Sequence, residues 1–129
     1  MRGLALLLIL TTAAWAQEAP KRSKKRWLVS VAVLVAAGAA DVHSSYGGYE
    51  ANPLLRSADG RLRVRGVGIK FGLLGAAVGV EYLMIRKHPE AAGTAFVANL
   101  AGAAALTAVA LRNYRFRGAE ALRLSGGAQ

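Results

Sequence analysis

The sequence predicts an all-α integral membrane protein: a bundle of three transmembrane helices, with a short interfacial helix after the first and a signal peptide before it. Three observations carry that prediction. Hydrophobic residues make up 54% of the 129 positions and the mean hydropathy is positive, more than the core of one small soluble domain needs. They are gathered into long runs, whereas a soluble protein spreads them at periods of 2 or 3.6. The basic residues behind the formal charge of +10 cluster between and after those runs, at Lys21 to Arg26, Arg56 to Arg65, Arg86 to Lys87 and Arg112 to Arg123. That placement suits headgroup contact with the lipid bilayer, including its anionic lipids. A nucleic-acid partner would require a basic patch interleaved with aromatics on a soluble domain, and no such patch is present. Cysteine is absent, which excludes disulfides, thiolate zinc sites, lipoprotein acylation and cysteine nucleophiles.

Residues 1–16 read as a secretory signal peptide. Arg2 precedes the apolar centre Leu4 to Leu10, and the small-residue ending Ala14-Trp15-Ala16 places cleavage before Gln17. A helix over Leu4 to Ala16 would rise only about 20 Å, short of a bilayer core of roughly 30 Å. Residues 17–26 form a basic tail. Seven Lys and Arg residues on one side of the bundle face eight on the other, so the positive-inside rule does not orient it. The signal peptide does, with the mature N-terminus outside.

Residues 27–111 hold the three spans. The first runs from Trp27 to about Tyr46, with those two aromatics expected at the interfaces. At 100° per residue Ser30, Ala37, Asp41 and Ser45 fall on one stripe that should face other helices, while Leu28, Val35 and Val42 point elsewhere. Gly47-Gly48 breaks this helix. Asn52-Pro53 is then an N-cap and first-turn pair, which predicts a short helix from Pro53 to about Ala58, stopped by Gly60. The alternating run Arg61 to Arg65 is read as a basic entry to the next helix, with no partner strand.

The second span runs from about Val67 to Ile85. Gly68, Gly72, Gly75 and Gly79 recur at steps of four, three and four on one narrow face, the spacing that lets another helix approach closely. Lys70 and Glu81 lie nearly opposite that face and about 16 Å apart along the axis, so each needs its own partner. Pro89 and Glu90 open the third span, from about Ala91 to Leu111. Ala95, Ala98, Gly102 and Ala105 give it a small face, with Asn99 adjacent. Residues 112–129 read as a basic, frayed tail. There is no convincing internal repeat, and three short spans leave little room for the paired halves of a transporter.

The chemistry rests on polar groups inside this apolar frame. A charge at the centre of a membrane helix costs about 2.5 to 3.5 kcal/mol, so such groups face the bundle interior and find partners. Asp41 near the end of the first span and Lys70 early in the second share one side of the membrane, which predicts an ion pair, helped by Ser44, Ser45 and Asn99. As a packing contact, that pair simply docks two helices. Glu50 and Asn52 divide in the same way: a capping device for Pro53, or, with Asp41, oxygen ligands for a cation or a proton-transfer pair. His43 diverges from its neighbour Asp41 on a helix and His88 belongs to the opposite side, so a histidine metal site is disfavoured and no metal is assigned. No G-x-S-x-G, H-E-x-x-H or phosphate loop is present, and Ser44 and Ser45 have no evident base or oxyanion partner. No catalytic residue, enzymatic activity or cofactor is therefore expected.

The order Asp41-x-x-Ser44, then Glu50-x-Asn52-Pro53, then Lys70 inside the following apolar span resembles the small prokaryotic membrane family called domain of unknown function 5658. The resemblance covers roughly Trp27 to Leu111, and Ser44 stands where threonine is common in that family. It implies a compact bundle of about three membrane helices and no established activity. The expected protein is a multi-pass component of a bacterial inner membrane acting as a structural or interaction module, with a homo-oligomer or a membrane protein as partner. Ion or proton handling through Asp41, Glu50 and Lys70 is the alternative. A polybasic protein that binds anionic lipids is the third.

Overall fold

The computed structural model describes residues 20–126, with side chains from 23 to 119. The expected signal peptide lies outside these residues. Three helices follow in order: α1 (Pro20–Ser45), α2 (Val64–Lys87) and α3 (Ala91–Gly126). All three are long and apolar enough to cross a membrane, and there are no strands among the described residues. The chain is a multi-pass membrane protein by this measure.

Each helix exceeds its expected span. α1 starts at Pro20, which supplies the fixed φ favoured at a first helical position, so the basic tail from Lys21 is helical. α3 does not stop at Leu111 but continues through the basic segment to Gly126. Residues 112–124 contain no proline and are rich in arginine, alanine and leucine, which all favour helix, and the single Gly118 does not break it.

The chain divides into two compact units. The first comprises Leu74–Gly102 with the described part of Met1–Val35, and the second Ala36–Leu73 with the described part of Ala103–Gln129. In the first unit, Trp27, Ile85, Ala92 and Ala95 form the core, with Val31, Val78 and Ala91 packed against them. Trp27 is 7% exposed and so belongs to this core. A stacked Tyr82 ring lies 6.4 Å away. Gly102 admits a close approach: a Cβ there would lie 3.2 Å from Leu34 Cδ1. The buried face of α3 in this unit carries Ala92, Ala95 and Asn99, while Ala98 is exposed. Asn99 sets that direction, because its amide must find partners inside.

In the second unit, Ala37, Ala103 and Ala110 are buried, Ala105 is exposed, and the connection between α1 and α2 folds on itself around Leu62, which is fully buried. The Gly47 amide donates to the Leu62 carbonyl at 2.9 Å and the Leu62 amide to the Gly48 carbonyl at 3.0 Å. Isolated antiparallel bridges join Tyr49 to Arg61 and Arg56 to Leu62. Gly47 and Gly60 each take φ of 74°, a left-handed conformation that glycine adopts without a Cβ penalty. The helix expected over 53–58 is a single turn at 53–55. Its cap forms, since Asn52 Oδ1 accepts the Leu54 amide at 3.0 Å. The turn stops because Arg56 bridges to Leu62 and the Ser57 amide donates to the Arg61 carbonyl, so the next backbone groups are engaged elsewhere.

Candidate functional site

Asp41 and Lys70 meet in the second unit. The Lys70 ammonium donates to Asp41 Oδ2 at 2.7 Å, with side-chain exposures of 23% for the lysine and 4% for the aspartate. α1 brings Asp41 inward on the stripe that also carries Ala37, Ser44 and Ser45, and α2 presents Lys70 nearly two turns from its start. Ser44 does not bond the carboxylate: its hydroxyl donates to the Asp41 backbone carbonyl at 2.8 Å, satisfying itself within its own helix. It also accepts from Asn113 Nδ2 at 3.3 Å, and the same amide donates to Ser45 Oγ at 2.9 Å. Asn113 therefore ties α3 to α1. Nearby, His43 Nδ1 shares a hydrogen bond with the Tyr114 hydroxyl, and Arg117 Nη2 donates to the Tyr46 carbonyl at 2.8 Å. Asp41 Oδ1 is buried and has no hydrogen-bond partner among the described residues.

Glu50, Asn52 and Pro53 form a separate, local arrangement. Glu50 Oε1 accepts the Asn52 amide at 3.0 Å, beside the Asn52 cap on the turn at Pro53. No hydrogen bond or ion pair among the described residues links Glu50 to Asp41 or Lys70. Further along the same connection, Asp59 accepts from the Arg61 amide at 3.1 Å and from Arg63 Nε and Nη2 at 3.1 and 2.9 Å. The Arg63 guanidinium, then the Arg61 amide, hold its carboxyl below the usual 3.8.

Asn99 joins a second polar cluster, in the first unit. Its Nδ2 donates to Glu81 Oε2 at 2.9 Å and to Ser30 Oγ at 3.2 Å. Trp27 Nε1 donates to the same Glu81 oxygen at 2.8 Å, and the Ser30 hydroxyl donates to the Trp27 carbonyl at 2.7 Å. Ser30 is 0% and Asn99 3% exposed. Trp27 of α1 and Asn99 of α3, both neutral donors, thus converge on one carboxylate oxygen of Glu81 on α2. The sequence signal for Glu81 was its need for a partner; nothing singled out Trp27 as that partner. Asn113, Tyr114 and Arg117 were missed because they lie beyond the apolar run, in the segment read as a tail.

No described residue packs on Gly68, Gly72, Gly75 or Gly79: a Cβ added at any of them would have open space within 4 Å. Among the described residues no three His, Asp or Glu side chains gather where they could hold a metal ion. Comparisons with protein-family models, with curated proteins and with solved structures found no match.

Proposed function

We propose that the chain is a small multi-pass protein of a bacterial inner membrane that acts as a structural or interaction module, docking a membrane helix on the glycine side of α2. The observation that carries this reading is the open space over Gly68, Gly72, Gly75 and Gly79, on a helix whose opposite side supplies Lys70 and Glu81 to contacts with the rest of the chain. Small residues at that spacing let two backbones approach closely, and van der Waals packing drives association where lipid provides no hydrophobic force. The intramembrane polar groups are read as docking contacts within the chain. The partner is a second copy or another membrane protein, and no enzymatic activity is assigned. The resemblance to domain of unknown function 5658 is consistent with such a bundle, and Met1 to Ala16 serves in this reading as the signal for insertion.

The test is cysteine-free cross-linking of the full chain in inner-membrane vesicles, comparing wild type with Gly72→Leu and Gly75→Leu. A Cβ at either position meets no other described residue within 4 Å, so the bundle should persist while the cross-linked species is lost. An undiminished cross-link in both variants would remove the proposal.

One observation favours ion or proton handling through Asp41, Glu50 and Lys70 as a second reading: the buried Asp41 Oδ1 without a donor. That reading predicts a pH- or cation-specific rise in melting temperature in wild type. The rise should be absent in Asp41→Asn and Glu50→Gln.

A further inference from the structure

The second unit carries an open groove of about 480 Å³ lined by Ala39, Val42, His43, Tyr46, Phe71 and Arg117. Ala39, Val42, His43 and Tyr46 follow one another along α1 at steps of three, one and three, so they share one side of that helix. Over about 10 Å the lining passes from small apolar residues to a histidine and a tyrosine. Phe71 of α2 adds an aromatic wall and Arg117 of α3 adds a cation. A hollow on a membrane-spanning surface with hydrocarbon along one part of its wall is filled by an acyl chain, because water there would find no polar partner.

The polar part selects what that chain is attached to. Arg117 is held in place by its bond to the Tyr46 carbonyl. That bond uses one of five guanidinium N–H donors, and the planar fork suits a phosphate. His43 is fixed through Nδ1 by the Tyr114 hydroxyl, which leaves its second ring nitrogen for another contact. The unit as a whole is strongly basic. Arg56, Arg61, Arg63, Arg65, Arg112 and Arg115 all belong to this unit and are exposed. Of its described acids, Asp41 is paired with Lys70 and Asp59 with Arg63, and Glu50 accepts from a backbone amide.

We infer that this groove binds one anionic phospholipid, its phosphate on Arg117 beside His43 and Tyr46, and an acyl chain along Ala39, Val42 and Phe71. This goes beyond the docking role proposed above and does not depend on it.

The experiment is the melting temperature of the full chain in detergent, titrated with phosphatidylglycerol, with phosphatidylcholine of the same acyl chains, and with inorganic phosphate. Phosphatidylglycerol should raise it and the other two should not. Arg117→Gln should weaken the apparent affinity about fivefold, the effect of one basic residue at an anionic headgroup. Ala39→Trp, at an exposed position that fills the groove, should abolish the response. Each shift is read against the variant's own melting temperature, so loss of the Arg117 bond to Tyr46 does not confuse the result. Equal shifts with phosphatidylcholine, a shift with inorganic phosphate alone, or equal weakening by Arg56→Gln and Arg117→Gln would overturn the assignment.

Discussion

Lys70 and Asp41 form an ion pair at 2.7 Å in which the carboxylate is much the more deeply buried partner, at 4% exposure against 23%. The asymmetry makes the two halves of the pair unequal. Without Lys70, Asp41 is left as a buried charge that already has one oxygen without a donor. Without the Asp41 charge, Lys70 can extend its flexible stem toward the headgroups.

Lys70→Met should therefore destabilise the bundle by about 3 kcal/mol, the usual cost of stranding one member of a buried pair. Asp41→Asn should cost only about 1 kcal/mol, since an amide oxygen still accepts from the lysine. Reversible unfolding in mixed micelles checks both. The double variant Asp41→Leu with Lys70→Met should recover most of the loss, and a double variant as weak as Lys70→Met alone would contradict this account.

The Glu81 cluster should respond to the loss of an acceptor more than to the loss of a charge. Glu81→Gln keeps an oxygen for Trp27 Nε1 and Asn99 Nδ2 and should cost under about 1 kcal/mol. Glu81→Leu strands two donors in hydrocarbon and should cost roughly 2 to 4 kcal/mol. Fluorescence of Trp27 gives a local readout: a change in emission with Leu but not with Gln is expected.

Two glycines of α2 should behave in opposite ways. At Gly66 a Cβ would collide with the Leu55 carbonyl oxygen and lie 2.6 Å from Leu62 Cδ1, so Gly66→Ala should push the connection off the start of the helix. At Gly72 the same change meets nothing and should leave the monomer unchanged or up to about 1 kcal/mol more stable, through helix propensity. Limited proteolysis between residues 47 and 63 separates the cases, with faster cleavage expected for Gly66→Ala alone.

The Asp59 carboxyl titrates below 3.8 because Arg63 and the Arg61 amide favour its charged form. A depressed folded value means that its support for the connection is fully present above the unfolded value near 3.8 and is lost as pH falls through the lower folded value. Hydrogen exchange of the Arg61 amide should accelerate, relative to its intrinsic rate, across that acid window. In Asp59→Asn the same step should be missing.

The three spans were legible because lipid imposes a length and a composition that apolar runs display directly. Asp41 and Lys70 were legible as partners for a related reason: each is a charge near the same end of adjacent runs, and few other charges were within reach. Asn99 shows where this fails. Its position on α3 fixed its face but not its depth relative to Asp41 and Glu81, and the structure gives it to Glu81. The bond from Trp27 to Glu81 was not legible because an amphipathic ring suits both an interface and a buried donor. The connection resisted reading because Leu62 is buried by hydrogen bonds between residues as distant as Gly47 and Leu62, which no local period encodes. α3 was cut short because polarity ends a span without ending a helix.

That last property turns part of α3 into a lever. Residues 118–126 continue the helix past the bond from Arg117 to Tyr46 for about 14 Å at 1.5 Å per residue. A change in tilt of about 20°, equal to the average tilt of membrane helices, would sweep the far end sideways by roughly 5 Å. Squeezing or thickening the surrounding bilayer would thus be converted into lateral travel of the helix end.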